Sequence, residues 1–243
     1  MPELSEIVGR IRPVPLFRGL DSAALQRVAR AAEQREVEAG HFFFRQDSLA
    51  DAVYVLHLGR VKLTQSTPEG HQVVLRVVGP GGMLGPTAVF DGLQYPTTAQ
   101  AVRWCQAFAW SGKTMAALME DCQHIALNAL GDVTAQLRDQ QERYRELATE
   151  HVERRVAQAL IRLVGQAGWK TEDGVLIDMP LSHQDVGEMT GTTLYTVSRI
   201  LRRWQRDGLV GVGRQRITIL DSAGLAAIAS DLKNGSARRA THS

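Results

Sequence analysis

Residues 181–220 read LSHQDVGEMTGTTLYTVSRILRRWQRDGLVGVGRQRITIL. Ser182 is placed to cap a first helix whose inward residues are Val186 and Met189. Gly191 supplies a left-handed turn at low steric cost. Thr192 or Thr193 then caps a second helix, in which Val197, Ile200, Leu201 and Trp204 recur at steps of three, one and three. Those steps leave Leu194, Tyr195, Ser198, Arg199 and Arg202 on the outer face. The pattern is that of a helix-turn-helix, and LVGVGRQRITIL after it reads as a β-hairpin wing.

The outward N-terminal end of such a second helix meets base edges in the DNA major groove. The spacing therefore predicts Tyr195, Ser198 and Arg199 as base readers, with Arg199 forking onto guanine O6 and N7. Ser182, His183 and Thr193 at the helix starts are expected at the DNA backbone. So are Arg202, Arg203 and Arg206 further along, and Arg214 and Arg216 on the wing. The charge distribution agrees. The net charge is only +2, but Lys and Arg against Asp and Glu number 15 and 17 over residues 1–150, and 13 and 9 over 151–243. Six arginines lie between Arg199 and Arg216 against one acid, Asp207. A basic surplus counts as evidence when a groove-reading element carries it. An ordinary helical hairpin has no need of cap, buried set, basic outer face and wing together.

Upstream, VERRVAQALIRLVGQAG forms a helix that buries Val156, Leu160 and Leu163, followed by a short hairpin at GVLIDMP. Before it, QHIALNALGDVTAQLRDQQERYRELATEH places Leu130, Val133, Leu137, Gln140, Tyr144 and Leu147 at alternating steps of three and four. That is an a/d seam of roughly three heptads, the pattern of a two-helix coiled coil. A single helix packing its stripe on its own domain is the alternative. Polar and charged residues on the other faces favour a homodimer seam.

The first half has a different rhythm. DSAALQRVARAAE (21–33) is helical after a capping Asp21, with Leu25, Val28 and Ala32 on one side. From about Val37, short strands separated by glycine turns predict a small antiparallel barrel or sandwich. In DAVYVLHLGRVKL the period is two, which turns Val53, Val55, His57, Gly59, Val61 and Leu63 inward. The loop GGMLGPTAVFDGLQYPTTAQ (81–100) has the glycines of an anion cradle, yet its only charge is Asp91.

A chain of 243 residues accommodates two ordinary domains. The fold class is α+β, with an effector-binding β-barrel domain with N-terminal helices over 1–122 and a dimerisation helix over 123–150. A winged helix-turn-helix domain over 151–232 and a disordered tail over 233–243 complete it. No run of about 18 apolar residues could span a bilayer, and the N-terminus lacks an apolar secretory segment, so a cytoplasmic protein with no membrane partner is expected. Cys105 and Cys122 are expected as two free thiols; a redox switch is the rival reading. They are too few for an iron–sulfur cluster and lack zinc spacing, so no metal is expected. No nucleophile–base pair or paired carboxylates suggest an enzyme. A ligand-binding regulatory module for a partner protein is the rival from another class.

The order of barrel, long helix and winged helix-turn-helix resembles the cyclic-AMP receptor protein and FNR (CRP/FNR) family of bacterial transcription regulators. The likeness covers roughly residues 20 to 230. It is carried by LHLGRVKL, GGMLGPTAVF and GTTLYTVSRILRRWQRDGLV. It implies a homodimer on an inverted-repeat operator, an effector in the barrel acting through the long helix, and RNA polymerase as a partner.

Two departures from that pattern matter. Many family members carry Glu where this chain has Tyr195, which offers a ring to a thymine methyl or a hydroxyl to a phosphate in place of an acceptor for cytosine N4. In the family's cyclic-nucleotide binders the loop carries a glutamate for the ribose and an arginine for the phosphate; Pro86 and Pro96 stand at those positions. A phosphate buried without a cation is poorly compensated, so cyclic AMP is not the expected effector. The expected pocket is apolar, formed by His57, Val61, Leu63, Leu84, Gly85, Pro86, Pro96 and Thr97. YPTTAQAV and LYTVSR are similar to the family's denitrification branch, which implies haem sensing nitric oxide. His57 is then either the iron ligand or a core histidine; His41 and His71 read as surface. Met1-Pro2 is also similar to the start of the family's carbon monoxide sensor, but Thr87 stands where that sensor has histidine.

Overall fold

The computed structural model describes residues 3–68, 72–90 and 92–230. Met1, Pro2, His71, Asp91 and the tail from 233 lie outside them. The chain divides into two compact units, Met1–Gln141 and Glu142–Ser243, and the division falls inside one continuous helix, α4 (Gln123–Thr149).

The first unit is two four-stranded antiparallel sheets with helices on one outer face. One sheet has the order β1 (Glu33–Val37), β8 (Cys105–Ser111), β3 (Ala52–Leu58), β6 (Met83–Leu84). The other has the order β2 (Phe42–Phe44), β7 (Thr98–Ala101), β4 (Val61–Ser66), β5 (Gln72–Val78). Between the sheets an aromatic cluster packs Phe44 flat on Tyr95, with centroids 3.8 Å apart, and beside Tyr54. Helix α1 (Leu4–Ile11), a 3-10 turn (Pro15–Phe17) and α2 (Ser22–Arg30) cover the outer face of the first sheet. There the ring of Phe17 meets Trp110 edge-on, and Trp110 Nε1 donates to the Val28 carbonyl at 3.0 Å. Asp21 caps α2 as its sequence position suggests, accepting from the Ala24 amide at 2.7 Å. Helix α3 (Gly112–Asp121) leads into α4.

Strand β3 corrects the expected parity. Its run Val53–Leu56 is buried on both faces, which a continuous apolar run permits and a strict alternation does not show. Val53 stands opposite Trp110 and Val55 opposite Phe108, so these two face the helices, whereas Tyr54 faces the aromatic cluster between the sheets. His57 is the extra residue of a β-bulge, because Leu56 pairs with Ala107 and Leu58 already with Gln106. Gly59, at φ 94°, then turns the chain from one sheet into the other. A period of two cannot be carried through a bulge and a corner. On β4, Val61 and Leu63 stand opposite Ala101 and Ala99 and join the core.

The second unit holds α5 (Val152–Ala167), α6 (His183–Thr190), α7 (Leu194–Arg206) and α8 (Ser222–Ser230). A four-stranded sheet has the order β11 (Val210–Gly213), β12 (Arg216–Ile219), β10 (Gly174–Ile177), β9 (Gly168–Thr171). Val156, Leu160 and Leu163 are fully buried on α5. The short terminal helix α8 carries no expectation from sequence. Helix α8 is fixed on α5 by Arg154 Nε donating to the Ala229 carbonyl at 2.9 Å.

Candidate nucleic-acid interface and effector site

Each helix of the 181–220 segment begins with a cap. The Ser182 hydroxyl accepts from the Asp185 amide at 3.1 Å and donates to Asp185 Oδ2 at 2.5 Å, while the Ser182 amide donates to the same carboxylate: a reciprocal capping box. Gly191 sits in the left-handed region at φ 61°. Thr193 caps α7, its hydroxyl accepting from the Thr196 amide at 3.3 Å. Val197, Ile200, Leu201 and Trp204 are all buried. With that face consumed, Tyr195, Ser198, Arg199, Arg202, Gln205 and Arg206 line an open groove along the other. Tyr195 is 79% exposed, and Leu194 beside it is also exposed.

Three residues expected at phosphates have other contacts or are only partly exposed in the single chain. The Ser182 hydroxyl is engaged in the capping box. His183, in the first turn of α6, is half-buried. Arg203 forms an ion pair with Glu153 of α5, whose carboxylate also accepts from Trp204 Nε1 at 3.0 Å. Arg203 thus faces α5 as well as solvent, which its place in an arginine run does not reveal. Thr193, Arg202 and Arg206 are exposed, as are Arg214 and Arg216 around the wing turn. The wing is tied to α6 through the Leu181 amide, which donates to the Gln215 carbonyl at 3.0 Å. Gln205 was missed from sequence, although its step of three from Arg202 puts it on the same face.

Along α4, Leu130, Val133, Leu137, Tyr144 and Leu147 are exposed in the single chain, with Leu127 extending the stripe. At its start the helix is anchored in the first unit by buried Ile125 and by Asn128, whose amide donates to the Leu16 and Arg18 carbonyls at 3.0 and 2.8 Å. Within the second unit, buried Glu146 accepts from Arg162 at 2.7 and 2.8 Å. Arg155 Nε donates to the Thr190 carbonyl at 2.9 Å and its Nη1 to the Glu150 carbonyl at 2.9 Å, joining the end of α4 to the helix-turn-helix turn.

In the glycine loop, Gly85 is left-handed at φ 65°, and a Cβ there would stand 2.8 Å from the Tyr95 ring and 2.9 Å from the Ala52 carbonyl. Leu84 is fully buried, Pro86 and Thr97 are half-buried and Pro96 is exposed. Neither proline has a side-chain donor or a backbone N–H to give an anion. The Tyr95 hydroxyl accepts from the Ala52 amide at 3.0 Å and donates to the Ala52 carbonyl at 2.7 Å, closing the space behind the loop. Burial, foremost, pushes its pKa well above the usual phenol value. One cation was missed: Arg76 on β5, opposite Leu63, sends Nη2 to the Met83 carbonyl at 3.1 Å. A contact bridging the two sheets leaves no sign in local sequence.

His57 does not belong to this pocket. Its ring lies on the outer face, 5.8 Å from that of Phe108. Burial and the Arg10 cation lower its pKa below the ordinary histidine value, with Glu6 opposing. None of the described histidines is fully buried. Cys105 is buried and Cys122 half-buried, and both are free thiols; burial raises the Cys105 pKa. No group of His, Cys, Asp and Glu among the described residues could hold a metal ion, and no described helix is long and apolar enough to cross a membrane.

Comparison with known proteins matches both parts. A Crp-like helix-turn-helix domain matches residues 154–228, and a cyclic nucleotide-binding domain matches residues 34–122. The cyclic AMP receptor protein of Thermus thermophilus is 27% identical over 218 residues, covering 90% of this chain and 98% of that protein. The CRP-like cAMP-activated global transcriptional regulator of Mycobacterium tuberculosis is 22% identical over 223 residues, covering 92% and 98%. In fold, the c-di-GMP responsive global regulator of Xanthomonas campestris superposes with a TM-score of 0.71 at 18% identity, over 83% of this chain and all of that one.

Proposed function

Because this chain belongs to the CRP/FNR family of transcription regulators, we propose that it acts in the cytoplasm as a homodimer on an inverted-repeat DNA operator, with an effector other than cyclic AMP. The observation that carries the reading is the division of labour on α7. Every large apolar residue after Tyr195 is buried, and the opposite face offers Tyr195, Ser198 and Arg199 to bases, with Arg202 and Arg206 beyond them for phosphates. The exposed stripe on α4 supports residues 123–150 as the dimerisation segment. A two-fold dimer then places two recognition helices on half-sites about one helical turn apart. RNA polymerase is the partner the family suggests.

The effector reading rests on the loop. A cyclic phosphate seated at Pro86 and Pro96 gains no side-chain or backbone donor from either, and Arg76 already serves the Met83 carbonyl. The related regulators differ in the effector their names carry, cyclic AMP in two and c-di-GMP in one, so fold alone does not select it. Haem ligated by His57 between the sheets loses its support, since that imidazole faces outward. A shift in seam packing along α4, passed to the turn at Gly191, sets the angle of the recognition helices.

Fluorescence anisotropy on operators recovered by randomised-site selection tests the proposal. Expected are a symmetric site, a strict half-site spacing and a steep fall of affinity with salt. Affinity indifferent to salt and to spacing overturns it in favour of a protein-interaction module.

A further inference from the structure

Outside the effector site, a cavity of about 510 Å³ opens between α1, the Pro13–Pro15 segment and the outer face of the first sheet. That volume lies within the range of small-molecule sites. Its walls are unusually stiff: Pro13, Pro15 and Pro80 contribute rings with fixed backbone, and Val55 and Phe108 form the floor. Among the described residues, two polar side chains reach it, and they differ in state. Arg10 is spoken for, paired with Glu6 and donating to Gln106 Oε1 at 2.9 Å. The His57 imidazole has no hydrogen-bond partner among the described residues. It is held at the bulge beside Phe108, where burial and Arg10 both disfavour its protonated form, and a neutral imidazole offers one ring nitrogen as an acceptor.

Gly9 is an independent observation. It lies inside α1, where glycine costs about 1 kcal/mol relative to alanine. Its φ is not in the left-handed region, and a Cβ built there meets nothing within 4 Å. Neither backbone conformation nor packing within the chain demands a glycine. It lines the cavity, and a longer side chain there has room to extend.

We propose that this cavity is a second ligand site, for an uncharged planar aromatic molecule that donates one hydrogen bond to His57, of the phenol or indole class. Proline rings and Phe108 accommodate a flat apolar body, and rigid walls reduce the ordering cost of binding. An aromatic carboxylate fits less well, because it must compete with Glu6 for Arg10. The site shares one residue, Gly81, with the glycine loop, and it does not depend on the DNA-binding reading.

The test is calorimetric titration of the full chain with 2-naphthol, naphthalene and 2-naphthoate. Expected is saturable binding of one naphthol per chain, roughly fivefold to tenfold tighter than naphthalene. His57→Phe keeps a ring but removes the acceptor, and is expected to abolish that preference while still binding both. Gly9→Leu is expected to abolish binding of both without lowering the melting temperature. The proposal is overturned by absence of saturable naphthol binding, by 2-naphthoate binding tighter than naphthol, or by a naphthol preference that survives His57→Phe. Unchanged binding in Gly9→Leu overturns it too, since it places the ligand elsewhere.

Discussion

Arg199 and Arg203 sit four residues apart on one helix and are equivalent by charge, yet their surroundings differ. Arg199 projects freely into the groove lined by Tyr195 and Arg202. Arg203 is committed to Glu153, both side chains being partly exposed. On the proposed reading, replacing Arg199 by Ala removes a bidentate guanine contact worth ~1–3 kcal/mol per half-site. On a two-fold operator that becomes about 2–6 kcal/mol, roughly 30-fold to 10⁴-fold in specific affinity. Replacing Arg203 by Ala removes a partly solvated ion pair worth about 0–1 kcal/mol, and Glu153 keeps its hydrogen bond from Trp204. Anisotropy titrations of both variants, on the selected operator and on unrelated DNA over a range of salt, separate the effects. Arg199→Ala is expected to bring specific affinity toward the non-specific level. Arg203→Ala is expected to remain within about tenfold of wild type on both DNAs. Equal losses from the two substitutions, or an unaffected Arg199→Ala, would refute the assignment of roles on α7.

Other consequences are open to direct measurement. Leu137→Glu places a charge in the proposed seam, and sedimentation is expected to show monomers. Its effect on the fold of one chain should stay within about 0.5 kcal/mol, because Leu137 is exposed there. Tyr95→Phe strips the partner from the Ala52 amide and carbonyl, at an expected cost of about 1–3 kcal/mol in the first unit, read by denaturant unfolding. His57 has a folded pKa below its ordinary 6.5, so between the two values the unfolded chain binds more protons. Stability is therefore lost as pH falls from about 6.5 toward the folded value, and His57→Phe should flatten that part of the melting-temperature profile.

What the sequence discloses depends on how local the cause is. The caps at Ser182 and Thr193, the turn at Gly191 and the buried face of α7 are all set within a few residues, and all are legible. So is the α4 stripe, a one-dimensional periodicity. The orientation of His57 was misread because a bulge and a corner intervene, and both arise from pairing with β8 and from the change of sheet at Gly59. The partner of Arg203 lies 50 positions away on α5, and Arg76 meets Met83 only once the two sheets face each other. Such contacts belong to topology. Helix α8 was missed for a different reason: it is only two to three turns long and acquires its helical stability from the surface it covers.

The stripe from Leu130 to Leu147 also bears on how much of the protein a cell must hold. An apolar ridge of this length is poorly tolerated by an isolated chain in water, so on the proposed dimer its burial is linked to self-association by mass action. The concentration of paired recognition helices then rises with the square of the free chain concentration. Below the dissociation constant of the seam, a twofold change in synthesis alters operator occupancy about fourfold with no small molecule involved. Expression level thereby becomes an input in its own right, and melting temperature should climb as the protein is concentrated.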